Sequence, residues 1–159
     1  IGIDFQEGLQ ADVVHDLNCF PYPFDDSEFD EVNIISTLFL LNDPVKTMEE
    51  VYRLCKTGGS VVVLQPYFRS PWNYVDPWVK NFGTVHSFAF YDPDDPICTR
   101  YKYSHARFKL ERLIFNEKLE KSYYKRLLCQ LAERYPRHYE LYISHLFPLD
   151  TITYHLRRV

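Results

Sequence analysis

Glycine, methionine and paired cysteines are all scarce in this chain. It has five glycines and one methionine among 159 residues and no G-x-S-x-G segment, so a serine hydrolase with a nucleophile elbow is not supported. Its four cysteines form no C-x-x-C pair, which argues against a zinc ribbon or a redox pair. The six histidines form no H-x-x-x-H cluster, so no metal site is predicted.

Long apolar runs and runs of like charge are also missing. No apolar stretch approaches the roughly 18 residues needed to span a bilayer, and isolated thiols are typical of a reducing compartment. We therefore predict a cytoplasmic location with no membrane partner. The net charge is -4 and the basic residues are dispersed, so there is no strong nucleic-acid signal. A length of 159 residues predicts one domain, 1–159, and 17% aromatic residues predict a ring-rich core.

The clearest pattern that is present is a strand–helix–strand unit between Asp30 and Pro66. The run DEVNIIS predicts a strand buried in a parallel sheet. Asp43 then fits a helix N-cap and Pro44 the first helical position. The following TGG predicts the end of that helix, and SVVVLQP predicts the next strand. The sequence thus predicts a parallel α/β fold.

Further elements flank this unit. Two short strands are predicted before it, joined by a polar connection at 6–10, and short turns, two strands and two helices after it. The predicted ranges are Ile1–Phe5 and Ala11–His15 for the first strands, Trp72–Phe82 for short helical turns, Arg107–Glu117 and Thr151–Leu156 for the later strands, and Leu119–Tyr135 and His138–Leu146 for the helices.

Polar side chains follow the predicted strands at their carboxyl ends, which is where ligands bind in open α/β sheets. Asp4 ends the first strand, and its carboxylate can accept both hydroxyls of a ribose. Asp16 ends the second strand, where it can accept an adenine amine while the backbone at Leu17 meets a ring nitrogen. Ser36 and Thr37 end the third strand and are expected to line a pocket. Each acid can equally cap a turn.

Aromatic side chains follow the fourth strand. We consider two interpretations: rings that roof a site for a positively charged ligand, or rings that form the packed core of a loop. The residues concerned are Tyr67, Phe68, Trp72, Tyr74 and Trp78.

The order of these segments is similar to that of class I S-adenosylmethionine-dependent methyltransferases of the methyltransferase type 11-like bacterial and archaeal branch. The segments ADVVHDLN, PYPF, SEFDEV and DPVKTMEEVYRLCKTGG carry the resemblance, with further likeness in DPWVKNFGTVHSF and HYELYISHLFPLDTITYHL. The resemblance implies a Rossmann-like, mostly parallel sheet with an antiparallel strand near its edge. It implies S-adenosylmethionine as methyl donor, with cofactor contacts from Asp4 and Phe5, from Asp16 and Leu17, and from Ser36.

Three departures distinguish the chain from that family. The glycine-rich strand and turn are absent, so the sheet lacks its middle strand, and we expect that strand upstream of Ile1 or from a partner. The family's Glu-His pair is replaced by Leu38–Leu41, and Asp76-Pro77 is followed by Trp78 where relatives have a histidine. Two hypotheses stay open: a methyltransferase with an unidentified acceptor, and an inactive methyltransferase-like scaffold. The short link between the first two strands argues against a dehydrogenase-like protein.

Overall fold

A computed structural model of the chain describes residues 1–5, 11–115 and 122–159. The strands are β1 Ile3–Asp4, β2 Val13–Val14, β3 Phe29–Ile35, β4 Cys55–Pro66, β5 Phe108–Phe115 and β6 Thr151–Arg158. The helices are α1 Pro44–Leu54, α2 Pro96–Tyr101, α3 Tyr123–Arg134 and α4 Pro136–His138, with 3-10 turns at Leu38–Leu40 and Pro71–Tyr74 and a π-helical turn at Tyr139–Ile143. None of the described helices is long and apolar enough to cross a membrane.

The strands form two sheets, and within the larger sheet all strands but one share a direction. β3, β4, β6 and β5 lie side by side in that order, and β1 pairs with β2 in a separate parallel pair. β3 and β4 are parallel, whereas β6 runs antiparallel to both β4 and β5. β5 therefore has the direction of β3 and β4, and the one reversed strand lies next to the edge. The predicted Rossmann-like sheet, mostly parallel with an antiparallel strand near its edge, is confirmed.

Helix α1 begins as its sequence predicts. The Asp43 carboxylate accepts a hydrogen bond from the Lys46 N–H at 2.9 Å, and Pro44 occupies the first turn, where a missing N–H costs nothing. The helix buries Met48, Val51 and Leu54 against the sheet. Its apolar face thus covers the parallel pair β3–β4, as a crossover helix does.

The predicted end of α1 is wrong. The helix ends at Leu54, and the chain enters β4 directly at Cys55, which pairs with Phe29 of β3. Gly58 and Gly59 lie inside β4, where Gly58 has φ of +79° and a Cβ on Gly59 would lie 2.8 Å from the Asp30 carbonyl oxygen. The glycines therefore serve a bend and a close backbone approach within the strand, because strand pairing overrides the local stop signal.

Helix α2 was not predicted, although it begins with the same signal as α1. The Asp95 carboxylate accepts from the Ile97 N–H at 2.9 Å, and Pro96 lies in the first turn. The predicted helix at His138–Leu146 appears instead as α4 and the π-helical turn. The connection at 6–10, the start of the predicted helix at Leu119 and the last residues of the predicted strand Arg107–Glu117 lie outside the described residues.

The core is rich in rings, as the composition predicts. Tyr67, Phe115 and Tyr139 are at most 2% exposed and contact one another, with the Tyr67 and Phe115 ring centroids 5.3 Å apart in an edge-to-face arrangement. They pack beside the aliphatic residues of β4 and β6, such as Val63 and Ile152. This core fixes the carboxyl ends of the strands, which is where a ligand site is expected.

Candidate functional site

A cavity of about 550 Å³ lies between β1 and β3. Asp4, Leu17 and Thr37 line it near the carboxyl ends of the strands, and α1 contributes Thr47 and Val51 to its wall. The lining follows β3 from Phe29 to Ile35, so the cavity includes the space between the two strand edges as well as a mouth at their carboxyl ends, where Asp4 and Thr37 lie. The strand ends predicted to bind a ligand therefore meet at one cavity.

The walls of this cavity include two strand edges. Among the described residues, no strand pairs with the second edge of β1 or of β3, and β1–β2 and the four-stranded sheet remain separate. A missing middle strand is expected to leave two strand edges without neighbours. The described residues, 1–5, 11–115 and 122–159, contain two such edges at this cavity.

Asp4 is the last residue of β1 and is half-buried. Its backbone carbonyl accepts a hydrogen bond from the His15 N–H at 2.9 Å, which ties β1 to the segment after β2. Leu17 lines the cavity with it, and the buried Tyr22 donates its hydroxyl to the Leu17 carbonyl at 2.9 Å. The carboxylate of Asp4 and the apolar side chain of Leu17 thus lie beside the same space.

Asp16 lies close by but does not line the cavity. Its Oδ1 accepts from the Asn18 N–H at 2.9 Å and from the Asn18 Nδ2 at 3.0 Å, and the backbone hydrogen bond is the main cause of a pKa below the usual Asp value. Asn18 in turn accepts from the Asn42 N–H at 2.9 Å. The Asp16 carboxylate is therefore ionised and supports a turn that connects the loop to the start of α1.

The end of β3 has an unusual backbone. Ser36 has φ of +53°, in the left-handed region that few residues other than glycine adopt, and its N–H donates to the Leu64 carbonyl at 2.8 Å. Its side chain is exposed and does not line the cavity, whereas Thr37 does. The Thr37 hydroxyl donates to the Ile35 carbonyl at 3.0 Å. Phe5, also a predicted cofactor contact, is 65% exposed and lies outside the cavity lining.

The predicted roof of aromatic rings is dispersed. Tyr67 is fully buried, its hydroxyl donates to Glu140 at 3.1 Å, and burial raises its pKa above the ordinary tyrosine value. Phe68 packs on the Tyr67 ring at 4.8 Å. Trp72 and Trp78 are 62% and 69% exposed. The structure brings Asp4, Leu17 and Thr37 together and leaves these four rings outside that cavity.

Sequence reasoning missed the residue that holds the loop over the cavity. Arg53 of α1 donates to the backbone carbonyls of Tyr22 and Phe24, at 3.0 and 2.8 Å, in the PYPF segment. Tyr22 and Phe24 of this segment line the cavity. The only signal for Arg53 was its place on the polar side of an amphipathic helix, which does not identify its partners. Within the described ranges, no group of three or more metal-ligating side chains is placed to hold a metal ion.

Comparison with known proteins agrees with this geometry. A family model described as a methyltransferase domain matches residues 4–63, from the last residue of β1 to Val63 within β4, including all of α1. No curated protein sequence matches the chain. The matched segment contains Asp4, Asp16, Leu17, Ser36 and Thr37.

Three solved structures share the fold. A methyltransferase from Mesorhizobium loti described as S-adenosylmethionine dependent has 14% identity and a TM-score of 0.56, over 99% of this chain and 79% of its own. A SAM-dependent methyltransferase from Archaeoglobus fulgidus has 18% identity and a TM-score of 0.53, over 99% and 75%. A chain of the complex between a Haloferax volcanii methyltransferase activator and a protein assigned as a methyltransferase has 17% identity and a TM-score of 0.53, over 92% and 60%.

At these identities the likeness concerns the fold, and this chain spans only 60% of the Haloferax volcanii chain. The methyltransferase segment and the fold nevertheless agree with each other and with the order of motifs in the sequence. Residues 4–63 are thus similar to a methyltransferase domain, and the fold as a whole is similar to that of solved class I methyltransferases.

Proposed function

We propose that this chain is an S-adenosylmethionine-dependent methyltransferase domain extending over residues 1–159. The observation that carries the proposal is the convergence of Asp4, Leu17 and Thr37 on one cavity at the carboxyl ends of β1 and β3. S-adenosylmethionine, when bound, supplies an activated methyl group on a sulfonium. The matched methyltransferase segment and two structural neighbours that are S-adenosylmethionine-dependent methyltransferases support this choice of donor.

The residues at the cavity suit a nucleoside. The Asp4 carboxylate accepts hydrogen bonds from a ribose diol, and such charge-assisted bonds are stronger than neutral ones. Leu17 and Ile35 offer apolar surface to a purine face, and Thr37 closes the end of β3. In this proposal Asp16, Phe5 and Ser36 act from the rim, where Asp16 is ionised and faces solvent. The chain's part in the reaction is binding and in-line positioning.

One observation favours a second candidate function, a catalytically inactive binding or scaffold protein. The run Leu38–Leu41, which replaces the Glu-His pair of relatives, is apolar, and its members Leu38, Phe39 and Leu41 are 5–7% exposed. Those side chains pack in the interior and cannot transfer a proton. A scaffold would keep the fold and lose affinity for the donor.

Calorimetric titration of S-adenosylhomocysteine into the longest natural form of the protein tests the proposal. We expect micromolar binding to the wild type, weakened about tenfold to a hundredfold by Asp4→Ala, because losing a charge-assisted hydrogen bond costs about 1.5–3 kcal/mol. Asp76→Ala is the matched control: Asp76 is exposed, accepts from the Trp78 N–H and lies outside the cavity. We expect it to bind like the wild type.

Absence of binding in a folded wild-type protein would refute the enzyme and leave the scaffold. An equal loss of S-adenosylhomocysteine affinity in Asp4→Ala and Asp76→Ala would show that the effect of Asp4→Ala is not local to the cavity. Circular dichroism of all three proteins establishes that each is folded.

A further inference from the structure

A second cavity, of about 330 Å³, lies on the other side of α1. Its floor is buried: Leu38, Met48, Phe88 and Tyr91 are at most 7% exposed. Its rim carries rings that reach solvent, among them Phe82 at 50% and Tyr103 at 62%. A cavity with an apolar floor and an aromatic rim has the character of a small-molecule site.

The polar groups of this cavity are few and uncharged. The Gln65 carboxamide, 4% exposed, lies at the end of β4 and, with Ser87, hydrogen-bonds to the hydroxyl of the buried Tyr154. That hydroxyl donates to the Thr84 carbonyl at 2.6 Å, which fixes the position of the Tyr154 ring behind the polar groups of the cavity. None of the described residues that line the cavity is an aspartate, glutamate, lysine, arginine or histidine. A charged ligand would lose its hydration there without a partner.

The two cavities share a wall. On α1, Thr47 and Val51 line the first cavity, whereas Pro44 and Met48 line the second. Residues four apart lie on one helix face, so these pairs define adjacent faces of α1. In the segment after β3, Leu41 lines the first cavity and Leu38 lines the second. Thr37 of the first lining and Leu38 of the second are consecutive residues, so the two linings meet at the end of β3, beside the site proposed for the donor.

We infer that the second cavity binds the methyl acceptor, an uncharged planar aromatic molecule that presents a hydroxyl or ring N–H. This inference rests on the proposed function. For a hydroxyl acceptor, its oxygen forms the new O–CH₃ bond while the S–CH₃ bond of the donor breaks. The electron pair of that bond remains on sulfur, giving S-adenosylhomocysteine, and the acceptor proton passes to water. The rings at the rim stack on the acceptor, and the Gln65 amide bonds its polar group.

Binding of 2-naphthol, followed by its fluorescence in the natural full-length protein, tests the inference. Val45 is half-buried at the cavity wall, and Val45→Trp fills the space with an indole. Val75→Trp is the matched control, because Val75 is 67% exposed and lies outside the cavity. We expect saturable binding to the wild type and to Val75→Trp, weakened at least tenfold by Val45→Trp. The anion 2-naphthoate should bind at least tenfold more weakly than 2-naphthol.

Equal binding by the two tryptophan variants, non-saturable uptake, or preference for 2-naphthoate would each overturn the inference. Should Val45→Trp not fold, Gln65→Leu replaces it, with weaker binding of 2-naphthol expected and unchanged binding refuting the role of the amide. Titrating S-adenosylhomocysteine into the same samples separates the two proposals. If it binds and 2-naphthol does not, the acceptor site fails and the enzyme stands. If only 2-naphthol binds, the proposed function fails, and the acceptor role fails with it.

Discussion

Arg53 attaches the loop beside the cavity between β1 and β3 to helix α1. Its guanidinium donates to the Phe24 carbonyl at 2.8 Å and to the Tyr22 carbonyl at 3.0 Å, and it pairs with Glu50 and Asp26, each at 2.8 Å. The side chains of Arg53 and Glu50 are 24% and 15% exposed. The Arg53–Glu50 pair is therefore largely shielded from water, whereas Asp26 is exposed and its pair with Arg53 is an ordinary surface ion pair, which contributes little.

Replacing Arg53 by methionine removes these hydrogen bonds and keeps most of the apolar stem. Breaking a fully buried pair costs about 3–5 kcal/mol, because the remaining charge is left without a partner. Partial hydration of Glu50 reduces this penalty, while the two loop carbonyls also lose their donor. We expect the free energy of unfolding at pH 7 to fall by about 2–4 kcal/mol.

The loss of stability in Arg53→Met should depend on pH. Burial raises the pKa of Glu50, but hydrogen bonds from Arg53 and from the Tyr22 N–H outweigh it and hold that pKa below the ordinary 4.5. A carboxyl group with a lowered folded-state pKa stabilises the protein above its unfolded pKa and loses that contribution as the pH falls through the folded pKa. Without Arg53, only the hydrogen bond from the Tyr22 N–H opposes the effect of burial on the Glu50 pKa, so the stabilisation that Arg53 gives through Glu50 at neutral pH is lost. The difference in stability between the two proteins should therefore narrow from pH 7 to pH 4.

Urea unfolding followed by circular dichroism at both pH values measures this difference. Arg126→Met, on the exposed side of α3, is the control and should change stability by less than about 0.5 kcal/mol. A loss of stability in Arg53→Met no larger than that in Arg126→Met would contradict the expected role of Arg53. A loss of stability in Arg53→Met as large at pH 4 as at pH 7 would contradict the role of Glu50.

Three further outcomes follow from burial and backbone geometry. Cys19 is exposed and the other three cysteines are buried, so Ellman's reagent should find one fast thiol in the native protein, and a second would contradict the packing. Gly58 has φ of +79° and no atom near an added Cβ, so Gly58→Ala should lower the free energy of unfolding by about 1–2 kcal/mol, measured by thermal or urea unfolding. Gly58→Asn should lower it less, because asparagine adopts this conformation more readily than alanine. Tyr154→Phe removes the bond to Thr84 and should cost about 1–3 kcal/mol, whereas Tyr142→Phe, at a 66% exposed site, should cost nothing measurable.

The parts of the fold that the sequence predicts well have local causes. The start of α1 depends on Asp43 and Pro44, which act within one turn, and α2 repeats the signal at Asp95 and Pro96. β1 and β2 were predicted as short strands from apolar runs alone, and the structure has both of them, paired in parallel over two residues each. Where neighbouring residues settle the conformation, one sequence is sufficient.

Long-range pairing explains most of the rest. Helix α1 ends before the position predicted at Gly58-Gly59, because Cys55 pairs with Phe29, which is distant in sequence. Tyr67 was predicted at the site as a possible roof, but its hydroxyl bonds to Glu140, 73 residues away, and that contact fixes it in the core. Composition gives the number of rings and not their places, so the second cavity could not be found from the sequence.

The described residues that line the second cavity include no carboxylate or imidazole, and this restricts the acceptor further. The Glu49 carboxylate lies outside the lining and accepts from the lining residue Ser104 at 2.8 Å, while Leu38, Phe39 and Leu41 beside the cavity are buried and apolar. The acceptor must therefore lose its proton to water, which favours a phenol, with a pKa near that of tyrosine at about 10, over an aliphatic alcohol. We expect the rate of methyl transfer to a series of neutral naphthols to rise as their pKa falls. It should also rise with pH towards the pKa of the acceptor. A rate that is flat in both series would show that a base of the protein takes the proton, and the assignment of this cavity would then be wrong.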